Sequence, residues 1–178
     1  MKLCKKVLIY CLGLFFLATG FTFSIKSQLG ITPVNSLPYV LSLITGIEQG
    51  HLIIAVFASF ILLQIILLRD KFEIKNLFQI VFSTIFGYFV TFTNSIFTFD
   101  APSNYIMKIV LLIVSMFFVA IGIMVFMRAN IMPMPAEGCI MAIGTVSNKE
   151  FHEVKTIFDT VLVVISAVLS LLFFMPPA

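Results

Sequence analysis

Five apolar stretches, at residues 7–26, 51–68, 76–98, 105–127 and 152–175, are each long enough to cross a hydrocarbon core. A helix rises about 1.5 Å per residue and the core is about 30 Å thick, so about 20 apolar residues suffice. Inside lipid the backbone must bond to itself, which leaves helices or a closed barrel, and runs this long are helical. The expected fold is therefore all-α: a polytopic helical membrane protein forming one membrane domain over residues 1–178. Composition agrees. Charged residues make up 11% of the chain, where a soluble domain needs about 25% to wet its surface. A soluble enzyme is excluded, and a net charge of +3 is too small to suggest a nucleic-acid partner.

Two further apolar pieces, 33–46 and 135–148, are too short to cross. Each begins at a proline and contains glycine, as expected of a re-entrant or half-helical element. Charge distinguishes re-entrant from spanning. If neither piece crosses, the N-terminal lysines, Arg69, Lys71, Lys75, Arg128 and Lys149 fall on one side, and Asp100 faces the other with Lys26 and Lys108. That is the positive-inside pattern with a cytoplasmic N-terminus. The first run follows Lys2, Lys5 and Lys6 like a signal peptide, but it is too long for one and reads as an uncleaved span.

The sequence repeats at a spacing of about 102 residues. FFLATGFTFSIKSQLGITPVN (15–35) lies over FFVAIGIMVFMRANIMPMPAE (117–137) without a gap. Gly20 meets Gly122, Lys26 meets Arg128, Gln28 meets Asn130, Pro33 meets Pro135 and Asn35 meets Glu137. Unit one covers 7–98 and unit two 105–178. Three crossings in the first unit would start the second from the opposite face. That gives an inverted repeat, on which many secondary transporters are built with interrupted short segments near the substrate. The plain alternative is a duplication that only stabilises a small bundle. Residues 76–98 have no counterpart after the fifth span, so the second unit is expected to lack its last span, either by truncation or with a dimer covering the gap.

Candidate chemistry is sparse. His152, Lys155 and Asp159 open the last span on one stripe that Ser166 and Ser170 continue. A carboxylate two turns into a span must face protein or water, so Asp159 is a candidate substrate or ion site, or else half of an internal Lys155–Asp159 pair. Glu137 and Asn35 start the two short segments, where free N–H groups attract anions, and either could instead be a helix cap. Lys26 and Arg128 end equivalent spans as snorkelling residues or as gate or anion contacts. Ser83, Gly87 and Thr91 form a small-residue packing face. Met124, Met127, Met132 and Met134 are apolar filler before they are a Cu(I) site. Cys4, Cys11 and Cys139 have no paired spacing. No nucleophile triad, phosphate loop or metal-spaced histidine pair appears, so no enzymatic activity, cofactor or metal is expected.

LGITPVNSLPYVLSLITGIEQG (29–50) and PAEGCIMAIGTVSNKEFHEVKTIFD (135–159) resemble the YczE/YyaS-like bacterial integral membrane proteins, relatives of the YitT type. The resemblance rests on the Leu-Gly-x-x-Pro turn, the Ser-Leu-Pro-Tyr run, Glu137–Gly138 and the Val-Lys-x-x-x-Asp helix of Lys155 and Asp159. It implies a multi-pass protein of the bacterial plasma membrane and a Gly-rich sixth segment beyond this chain's MPPA. Three functions remain open. The leading one is a small transporter or permease of unknown substrate. The others are a substrate-capturing subunit with an energising partner, and an accessory or signalling protein acting through a partner.

Overall fold

A computed structural model describes residues 3–174. All regular structure among them is helical: α1 (Leu3–Ser27), α2 (Pro33–Thr45), α3 (Gln49–Leu68), α4 (Phe78–Ile96), α5 (Tyr105–Ala129), α6 (Pro135–Ser147) and α7 (Phe151–Phe174). Two 3₁₀ turns, Arg69–Lys71 and Ile74–Leu77, join α3 to α4. Five helices are long and apolar enough to cross a membrane: α1, α3 with its following turn, α4 with its preceding turn, α5 and α7. The expected spans agree with them to within a few residues. Lys2, residue 175 of the last expected span and the MPPA end lie outside the described residues. The short helices α2 and α6 have 13 residues each and open on Pro33 and Pro135, whose fixed φ suits a first helical position.

The chain divides into two compact units. One holds residues up to Ile31 together with Thr84–Met132, and the other holds Thr32–Ser83 and the chain from Pro133.

In the first unit α1 packs along α5. Gly20 of α1 faces Ser115 and Val119, while Gly122 of α5 faces Gly13 and Leu17, so the two helices run antiparallel. The approach is backbone against backbone. A Cβ at residue 20 would stand 2.9 Å from Ser115 O, and one at residue 122 would stand 2.7 Å from Leu17 N. Small residues are what permit such contact between membrane helices. The α4 part of the unit runs parallel to α1: Phe15 meets Phe89, Thr22 meets Thr93 and Phe23 meets Phe97. The Thr22 hydroxyl lies 2.8 Å from that of Thr93 and donates to Asn94 Oδ1 at 2.9 Å. After α1 the chain reverses through Gln28, with φ +56°, and Ser24 Oγ donates to Gly30 O at 2.6 Å. The strand of chain beyond α1 therefore turns back beside its last turns.

The second unit consists of two helical hairpins, α2–α3 and α6–α7. The αL residues Gly46 and Asn148 cap α2 and α6 and turn the chain into the next helix. The hairpins interlock: α2 packs on α7 and α6 packs on α3. Phe60 of α3 meets Phe158 of α7 edge to face at 5.3 Å.

Several features recur 102 residues apart. They include the bounds of α1 and α5, the bounds of α2 and α6, and the starts of α3 and α7. The left-handed residues Gln28 and Asn130, and Gly46 and Asn148, do the same.

Candidate functional site

The second unit contains the polar groups that packing leaves unusual. Its base is a pair of amides. Gln64, one turn from the end of the apolar helix α3, and Gln79, at the start of α4, are each 1% exposed. Gln64 Nε2 donates to Gln79 Oε1 and to Pro135 O, both at 3.1 Å. The second bond holds a carbonyl at the first turn of α6. Gly138, one turn along, makes the close approach possible, because a Cβ there would stand 2.8 Å from Gln64 Oε1 and from Gln79 Nε2.

The same first turn carries Glu137. Its carboxylate bends back onto its own backbone N–H, one of the free donors at a helix start. Its other oxygen, Oε2, is buried and has no hydrogen-bond partner. Glu137 lies within electrostatic reach of two α7 residues, Lys155 and Asp159. The α6–α7 hairpin explains this, since the two helices run antiparallel from the 148–150 turn and bring residues 137 and 159 to similar heights. Lys155 Nζ lies 3.1 Å from Asp159 Oδ2, an i, i+4 pair with Asp159 the less exposed partner. Asp159 Oδ1 is buried without a partner.

Further along the same face of α7, Ser166 Oγ lies 2.9 Å from Ser36 Oγ on α2. Ser36 follows Asn35, whose Nδ2 donates to Thr32 Oγ1 at 3.2 Å and whose Oδ1 is buried without a donor. The cap position of α2 is Thr32, which makes no side-chain cap bond; Asn35 is the third residue of the helix, one turn too far in to cap it, and its amide reaches back to the Thr32 hydroxyl.

The other candidates stand elsewhere. His152 is exposed at the start of α7 and lies 3.2 Å from Glu150, so it has a surface partner of its own. Lys26 donates to Phe99 O at 2.9 Å with its ammonium 5.2 Å from the Phe99 ring centroid, tying the end of α1 to the chain after α4. Arg128 is exposed at the end of α5. Ser83 and Gly87 are buried and Thr91 is half-buried on α4. Sequence reasoning passed over Gln64 and Gln79. The available signal was a lone amide inside FILLQIILL, where an unsatisfied polar group is costly and so must find a partner.

Chemically the arrangement is rich in acceptors. Among the described residues the buried side-chain atoms without a partner are Asn35 Oδ1, Glu137 Oε2 and Asp159 Oδ1, all of them oxygens and all in the second unit.

No curated protein and no solved structure matches the sequence. A family of unknown function (DUF6198) matches residues 4–177, nearly the whole length, and the chain belongs to that family.

Proposed function

We propose that this chain is a small multi-pass membrane transporter or permease built on an inverted repeat, with Glu137, Lys155 and Asp159 at its substrate site and Asn35, on α2, as a further candidate contact. One observation carries the reading. The contacts, and not only the helix bounds, recur after a shift of 102 residues. Gly20 against Ser115 and Val119 corresponds to Gly122 against Gly13 and Leu17. Ser36 against Ser166 corresponds to Gly138 against Gln64. An exchange of partners of this kind is what a pseudo-twofold axis produces, and the antiparallel course of α1 and α5 supports an inversion.

The directions of the helices also support a re-entrant α2. α4 runs parallel to α1, so the intervening chain returns across the membrane an odd number of times, and α3 is its one segment of crossing length. With the basic residues on the inner side, the reading gives a cytoplasmic N-terminus in a bacterial plasma membrane. It also takes the chain as similar to the YczE/YyaS-like proteins within its family.

Two experiments test this. A cysteine at Ser103 is expected to react with an impermeant maleimide in intact cells and one at Asn76 is not; the opposite pattern defeats the topology. Thermal unfolding of the purified protein, screened against metabolites, is expected to find a ligand that stabilises the wild type and leaves Asp159→Asn unmoved. A screen whose hits act equally on both removes Asp159 from the site.

A further inference from the structure

We infer that the Glu137–Lys155–Asp159 cluster binds a monovalent cation. The inference deepens the transporter reading and takes its site residues from it. It rests on the charge balance of the cluster and on the acceptors its carboxylates leave without a donor.

Lys155 lies 3.1 Å from Asp159 and neutralises one acid, which leaves the charge of Glu137 uncompensated in a setting where an unpaired carboxylate is costly. One charge is missing, and it is positive and single. The unsatisfied atoms point the same way. Glu137 Oε2 and Asp159 Oδ1 are buried acceptors with no donor, and an ionised carboxylate can only accept. Asn35 Oδ1 is a similar oxygen, but its neighbour Ser36 meets α7 at Ser166, about 10 Å along the helix from Asp159, so it stands apart from this cluster. An anion would find one lysine already engaged. A neutral ligand would leave the charge in place. A cation answers both deficits, and oxygen ligands of this kind suit a hard ion or an ammonium group.

A proton on Glu137 is the competing occupant, so acidification is expected to weaken cation binding. The titratable groups facing Glu137 are Lys155 and Asp159 of α7. The neighbouring α3 contributes Gln64, which does not titrate in this range.

The test uses the full-length protein in detergent at constant ionic strength. Its thermal midpoint is followed as N-methylglucamine chloride is replaced in turn by lithium, sodium, potassium or ammonium chloride. At least one of these cations is expected to raise the midpoint saturably by several degrees, with a half-saturating concentration that rises as the pH falls. Glu137→Gln and Asp159→Asn are expected to abolish the rise. A wild type indifferent to all four cations overturns the inference without the use of any variant, as does a response that both acid variants retain. Neither result touches the transporter reading, which is tested separately by the labelling pattern and the metabolite screen.

Discussion

The two compact units treat polar groups in opposite ways. In the unit of α1, α5 and the greater part of α4, buried hydroxyls close on one another or on the backbone. Thr22 meets Thr93 and Asn94, and Ser115 returns to Leu112 O at 2.7 Å. Aromatic edges and glycine contacts complete much of that unit's packing. In the unit of α2, α3, α6 and α7, an amide pair and a hydroxyl pair hold the helices, and two carboxylates and an amide keep oxygens unanswered. A membrane helix bundle that needs only to be stable has no use for such atoms, since each unsatisfied group in a low-dielectric interior is destabilising. The difference fits a first unit built for stability and agrees with the binding role proposed for the second.

Mutations can break that contrast. The largest loss is expected from Gly122→Val. Even a Cβ there meets the α1 backbone, and overpacking of this kind costs about 1–3 kcal/mol where side chains can yield. Backbone cannot yield so easily, so the thermal midpoint and the monodisperse yield should both collapse. A mild effect would mean that the α1–α5 pair is not the rigid element. Next comes Gln64→Leu, which strips Pro135 O and Gln79 Oε1 of their donor. An orphaned buried acceptor costs about 1–3 kcal/mol, and the midpoint should fall accordingly while insertion persists. Thr22→Val removes one neutral hydrogen-bonded hydroxyl and should cost about 1 kcal/mol on the same measurement.

The smallest change in stability is expected at Asp159→Leu. Losing one partner of a fully buried pair would be costly, but Lys155, 43% exposed, can swing its ammonium outward along its stem, and the desolvated carboxylate is gone. Ligand stabilisation should vanish all the same. If Asp159→Leu destabilised the protein as much as Gly122→Val, the carboxylate would be structural and the contrast between the units would disappear.

The crossing helices were legible because length and apolarity alone decide them. The short helices were legible from Pro33 and Pro135 together with the length limit. The turn-back residues were half legible: Gly46 and Asn148 are ordinary left-handed caps, whereas Gln28 adopts φ +56° without a sequence signal of comparable strength. At the site, spacing brought out Lys155 and Asp159 because an i, i+4 pair is a local matter. The proximity of Glu137 is not local, for it depends on the hairpin folding α6 against α7. The amide pair of Gln64 and Gln79 depends in turn on α6 approaching at Gly138. Which oxygens end up without donors depends on every neighbour at once, and no pattern along the chain encodes it.

The glycine contact between α1 and α5 bears on how far relatives of this chain can diverge. Most side chains of α5 are uncovered by protein and would face lipid, where one aliphatic residue serves nearly as well as another. Such positions drift freely and soon carry no trace of common descent. Gly13, Gly20 and Gly122 cannot drift, because any larger residue meets main chain. Ancestry in this family would therefore be recorded in a few small residues at set intervals, and an alignment scored by overall identity would discard most of what survives.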